Sequence, residues 1–88
     1  MDEVIALMRE RLAALAPESL EIEDESAQHA GHEGARGGGG HYRMTIVSPQ
    51  FACLNSVARH RAIYQALGDL MGRRIHALSI TAFTPEEF

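Results

Sequence analysis

The sequence predicts an α+β fold: one domain in the order α-β-β-α-β, with a three-stranded mixed sheet and both helices on one face. Three observations predict it. Apolar residues recur at helical spacing near residues 3–15 and again from about 56 to 71, and they alternate with polar residues in three shorter stretches between and after. The chain has 88 residues, 45% of them hydrophobic, which suffices for one modest core and no second domain.

The first helix is expected over 3–15. Val4, Ile5, Met8, Leu12 and Leu15 fall on one stripe, Asp2 is placed to cap the start, and Pro17 to stop it. In "SLEIEDES", Leu20 and Ile22 alternate with Glu21 and Glu23, the pattern of a half-buried strand. Residues 25–40 are polar and glycine-rich and read as a loop, mobile and longer than common hairpin connections. "HYRMTIVS", 41–48, is the second strand, with Tyr42, Met44 and Ile46 on one face. After "PQFACLNS" comes a second helix, capped by Asn55 or Ser56, with His60, Ile63, Tyr64, Leu67, Leu70 and Met71 as its apolar stripe and Gly72 at its C-terminal cap. The third strand is "IHALSITAF", with His76, Leu78 and Ile80 sharing a face.

This order locates the histidines, which number five. A helical connection between the second and third strands favours a parallel pair. Parallel strands start at the same sheet edge, so His29, His32, His41 and His76 should gather at one end. His60, in the first turns of the second helix, should lie at the other. Imidazoles bind zinc, copper and iron, but no pairing of ligands at a structural-zinc spacing is present. The residues alone therefore fit solvated loop histidines better than a metal site, and any such site would be open, short of ligands that a partner could supply.

Charge is uneven. Net charge is −4, with residues 1–25 carrying eight acids against two arginines and residues 34–82 carrying six arginines against Asp69 alone. Arg59, Arg61, Arg73 and Arg74 form a basic set around the second helix, suited to phosphates. Any nucleic-acid binding with so few cations should be weak and salt-sensitive. No apolar run approaches the ~20 residues that span a bilayer. The N-terminal "MDEVIALMRERL" lacks the positive charge of a secretory signal. The lone Cys53 excludes an internal disulfide framework and fits a reducing compartment, so a soluble cytoplasmic protein is expected. Nothing is arranged as a catalytic triad or dyad, and an enzyme is not expected.

The element order resembles the type II KH topology, without the GXXG loop that clamps nucleotides in KH domains. More specifically, "LEIEDES..H", "HYRMTIVSPQF", "RHRAIYQALGDL" and "IHALSITAFTPEEF" together resemble the BolA family over nearly the whole chain. The resemblance implies an α-β-β-α-β fold with helix-turn-helix-like character and partnership with a monothiol glutaredoxin. It implies a [2Fe–2S] cluster bridged between the two proteins, held by the glutaredoxin cysteine, a glutathione thiol and two ligands from this chain. One would be His76 and the other His29, with His41 and His32 as alternatives. Cluster assembly, trafficking or iron regulation would be its role. Bacterial members are also described as stress-responsive, DNA-binding transcriptional regulators, which would use the arginine set. The free protein is expected to be a monomer or weak dimer.

Overall fold

The computed structural model describes residues 3–25 and 40–88. The first helix, α1, spans Glu3–Leu12, and its last turn tightens into a 3₁₀ turn at Ala13–Leu15. Val4, Met8 and Leu12 are buried, while Ile5 and Leu15 pack at the margin of the core, as the stripe requires. The helical segment stops at Ala16, which adopts a left-handed conformation (φ 49°) and donates its N–H to the Ala13 carbonyl at 3.0 Å. Pro17 then prevents continuation. The expected cap, Asp2, lies outside the described residues.

Strand β1, Ser19–Asp24, pairs antiparallel with β2, Gly40–Val47, and β2 pairs parallel with β3, Ile75–Phe83. The sheet order is β1-β2-β3. Tyr42, Met44 and Ile46 face the helices and are buried, with Leu20, Ile22, Leu78, Ile80 and Ala82 packed beside them. The opposite face carries Glu21, Glu23, Arg43, Ser79 and Thr81, all exposed. The predicted α+β fold and mixed sheet are therefore those of the structure. Ser48, expected as the end of the second strand, instead caps a short 3₁₀ turn at Pro49–Phe51. Its buried hydroxyl accepts from the Gln50 N–H and donates to the Leu15 carbonyl at 2.6 Å, joining that turn to the end of the first helix.

The second helix, α2, spans Ser56–Leu67, and the Asn55 side chain caps it by accepting the Ala58 N–H at 2.8 Å. Two expectations are corrected here. The helix ends at Gly68 (φ 57°), not Gly72, because a further 3₁₀ turn occupies Gly68–Leu70; Gly72 (φ 85°) instead makes the turn into β3. Tyr64 is 42% exposed rather than part of the apolar stripe. Ile63, Leu67 and Leu70 supply that stripe at i, i+4, i+7, which leaves Val57, Arg61 and Tyr64 on the outward row.

The crossover is locked by Arg59. Its guanidinium donates to the Leu54 carbonyl (2.8 Å), the Ala82 carbonyl (3.0 Å) and both oxygens of Glu87 (2.6 and 3.1 Å), and its side chain is only 13% exposed. Glu87 also accepts the Thr84 N–H at 2.8 Å. These bonds, the Arg59 hydrogen bond foremost, bring the Glu87 carboxyl from 4.5 down to about 2. A carboxyl depressed in the folded state adds stability that is complete above its unfolded value and vanishes as pH falls through the folded one. The melting-temperature gap between wild type and Glu87→Gln should therefore be largest near neutrality, narrow below about pH 4.5 and close near pH 2. A pH series of thermal melts checks this, and a gap that stays constant across that range would contradict it.

Candidate functional site

β2 and β3 begin at the same edge, and there the structure brings two of the predicted histidines together. The rings of His41 and His76 stand 5.1 Å apart, centre to centre, tilted by 44°. Nε2 of His41 is shielded from solvent, whereas His76 is exposed. The pair thus presents one seated and one accessible imidazole at the rim of the sheet. His29 and His32 lie outside the described residues.

A bulge creates this geometry. Gly40 pairs with Ile75 but His41 pairs with Ala77, so His76 is an extra residue inserted into the ladder. Simple alternation would put His76 on the core face with Leu78 and Ile80, as the sequence suggested. The bulge lets Ile75 turn fully inward and sends His76 out instead. Gly40 matters equally. A Cβ there would lie 2.7 Å from Cζ of the Tyr42 ring, so the last glycine of the "GGGG" run is required by packing and not only by slack. Its N–H donates to the Arg74 carbonyl at 2.9 Å, which ties the start of β2 to the turn before β3.

The described residues on either side of 26–39 also meet at this edge. The Glu25 N–H donates to the His41 carbonyl at 2.7 Å, and the Glu25 carboxylate pairs with Arg43 at 3.3 Å. His29 is four residues beyond Glu25, a tether of at most about 14 Å. Arg73 and Arg74 are exposed in the turn leading to Ile75, three and two residues before His76. Asp69 just upstream is held below its ordinary range, chiefly by its hydrogen bond from Arg11 at 3.0 Å and least by the charge of Arg73.

Two imidazoles can each donate a nitrogen to the same ion. Rings that share one tetrahedral ion hold their centres about 5 Å apart, the spacing seen here. Among the described residues no group of three or more His, Cys, Asp or Glu side chains is placed to hold a metal. The pair alone cannot complete a coordination shell.

His60 lies where expected, away from the pair. It lines a cleft with Ile80 and Ala82, four or more residues along β3 from His76, or upwards of about 13 Å. Arg59, grouped with the phosphate-binding arginines by sequence, is turned inward and its donors are spent within the chain. Arg61, Arg73 and Arg74 remain exposed, Arg61 on α2 and the other two at the histidine edge. "RHR" read as a basic cluster concealed the inward role of its first arginine. The signal that could have revealed it is "TPEE", a capping-box pattern whose glutamate is the Arg59 partner. Cys53 is exposed with φ 66°, a conformation that favours glycine. Among the described residues no helix is long and apolar enough to cross a membrane.

Comparison with known proteins agrees with this architecture. A family model described as "BolA-like protein" matches residues 12–87. The chain is 45% identical over 84 residues to Protein BOLA1, chloroplastic, of Arabidopsis thaliana, covering 91% of this chain and 52% of that protein. It is 40% identical over 86 residues to BolA-like protein 1 of Homo sapiens, covering 97% and 61%. The DNA-binding transcriptional regulator BolA of Vibrio cholerae is 42% identical over 72 residues, covering 82% and 65%. The chain spans less than two thirds of the length of each of these relatives. Among solved structures, the BolA domain of SufE1 from Arabidopsis thaliana superposes with a TM-score of 0.84 at 42% identity, covering 100% of this chain and 99% of that one.

The Gly40 packing generates a prediction. Gly40→Ala should push the Tyr42 ring from its seat and cost about 1–3 kcal/mol, the range for overpacking a tight site. It should also disturb the His41 and His76 ring signals in NMR spectra. Unchanged stability and unchanged imidazole shifts would show that the contact is dispensable.

Proposed function

The chain belongs to the BolA family, and we propose that it acts as an adaptor that docks on a monothiol glutaredoxin and shares a [2Fe–2S] cluster with it. The observation that carries this reading is the His41–His76 pair: two nitrogen donors at one rim, at a spacing that suits one iron, with the remaining ligands left to a partner. The cluster is cargo, held by a glutaredoxin cysteine and a glutathione thiol on one side and by this chain's imidazoles on the other. Replacing two thiolates by two imidazoles on one iron raises a cluster's reduction potential, as in Rieske-type centres. His76 is assigned as one ligand. The second is His29 on the family resemblance, with His41, which stands beside His76, and His32 as alternatives. Glu25, four residues before His29 in sequence, donates its N–H to the His41 carbonyl at that rim. The role is cluster trafficking or iron regulation, with no catalysis by this chain. The cytoplasm is the proposed compartment, consistent with a single, unpaired thiol.

The test is a titration of the protein into cluster-loaded monothiol glutaredoxin, followed by visible circular dichroism. Wild type should change the cluster spectrum, and His76→Ala should abolish the change. Among His29→Ala, His32→Ala and His41→Ala, the variant that also abolishes it names the second ligand. An unaltered spectrum with wild type would overturn the adaptor reading.

A second reading, a DNA-binding regulator, is favoured by exposed Arg61, Arg73 and Arg74 and by the name of the Vibrio cholerae relative. Each arginine that contacts a phosphate contributes about 0.9 to the slope of log affinity against log salt. Arg61→Ala, Arg73→Ala and Arg74→Ala should each weaken duplex binding and flatten that slope by about one unit. Salt slopes measured on a single duplex check this, and slopes equal to wild type would remove the arginines from the interface. His76→Ala should leave this binding unchanged.

A further inference from the structure

The two outer edges of the sheet are treated differently. β1 carries Glu21, Glu23 and Asp24 and is followed by Glu25, charges of the kind that discourage another chain from pairing. β3, nine residues long, contains no charged residue and no proline. It is nevertheless an outer strand.

Hydrogen bonding shows which backbone groups that edge offers. The Phe83 carbonyl accepts from Ser48, on the β2 side, whereas the Ala82 carbonyl turns the other way and accepts from Arg59. Alternation then directs the N–H and C=O groups of Leu78 and Ile80 outward. Neither residue has a backbone or side-chain partner there among the described residues. Arg59 closes the edge at Ala82, so the open stretch runs from the bulge at His76 to Ile80.

A cleft of about 450 Å³ begins where this stretch ends, at Ile80, and continues to Ala82, walled on the other side by Leu54, Ser56 and His60. It adjoins at His60 a second, apolar recess of about 320 Å³ formed by Val57, Arg61 and Tyr64. Val57 is 64% exposed. The flanking charge left uncancelled is positive: Arg59 and Glu87 neutralise one another within the cleft, and α2 otherwise carries Arg61 and no acid.

We propose that the outer edge of β3 is a strand-addition site, which takes an extended acidic segment of a partner protein as a fourth strand. Main-chain bonds to Leu78 and Ile80 supply the pairing. Apolar side chains of the guest enter the recess at Val57 and Tyr64, and its carboxylates meet Arg61 and His60. A second copy of this chain is disfavoured as the guest. Antiparallel pairing of two β3 strands brings the two α2 helices side by side, with Arg61 and His60 set against the same residues. The site is distinct from the histidine rim and does not depend on the cluster reading.

The probe is a blocked six-residue peptide alternating glutamate and valine, with a lysine–valine peptide as its counterpart, added to the metal-free full chain. Amide hydrogen exchange and NMR shifts are followed residue by residue, with no glutaredoxin present. The glutamate peptide should slow exchange at Leu78 and Ile80 and bind at least tenfold tighter than the lysine peptide. Arg61→Glu, a change on an exposed surface, should invert that preference. Protection of neither amide by either peptide would overturn the proposal. So would protection of both amides without peptide that grows with protein concentration, since a second copy would then hold the edge.

Discussion

The guanidinium of Arg59 is the contact on which the rest of the structure depends. A parallel pair of neighbouring strands needs a long crossover, and a crossover positions its strands only if it is anchored at both ends. Arg59 grips the segment before α2 through Leu54, the end of β3 through Ala82, and the C-terminal turn through Glu87. Phe51, fully buried, lies beneath it with the guanidinium carbon 6.0 Å from the ring centre. Planar geometry and five donors suit arginine to this role, and lysine, a single compact charge, would satisfy fewer of these acceptors. The same contact explains why one residue of a conspicuously basic motif is spent on the fold.

With the crossover fixed, the opposite end of the sheet becomes a place where small irregularities have chemical consequences. The ladder slips by one residue between Gly40 and His41, and that slip separates a buried Ile75 from an outward His76. A regular strand could not present isoleucine inward and the adjoining histidine at the rim while keeping Leu78 and Ile80 in the core. Gly40 accommodates the Tyr42 ring, and its N–H reaches the Arg74 carbonyl, so the two strand starts are held in common. The 5.1 Å approach of the imidazoles follows from backbone register rather than from attraction between the rings.

Much of this was legible in the sequence. Periodicity placed both helices and all three strands, and the helical connection was enough to infer a parallel β2–β3 pair and hence the meeting of His41 with His76. What was not legible has a common physical origin. Period-two alternation cannot register a bulge, so His76 was put on the core face. Two glycines of similar local character, Gly68 and Gly72, both have positive φ, and only packing decides which one ends α2. Tyr64 reads as apolar from its type, but the row it shares with Val57 and Arg61 is exposed and lies outside the core stripe of Ile63 and Leu67. Arg59 reads as surface charge because its partner, Glu87, is twenty-eight residues away in sequence.

The two edges of the sheet complete the argument. An edge strand without charge, proline or cover is a liability that a stable monomer ordinarily removes, and β1 shows that this chain has the means to do so. The acids of β1 stand across from Arg43 and Thr45, so guarding that edge also satisfies the solvated face. On β3 the corresponding outward-face positions are Ala77, Ser79 and Thr81, all exposed, and a glutamate at Ser79 would stand beside Arg43 just as Glu23 does. Packing therefore does not explain the absence of guards on β3. The bulge at one end and Arg59 at the other limit the exposed pairing groups to Leu78 and Ile80, short enough to resist sheet extension by many copies and long enough to register one guest strand. An edge left open over that length, beside a helix bearing only positive charge, is a bounded surface rather than an unprotected one.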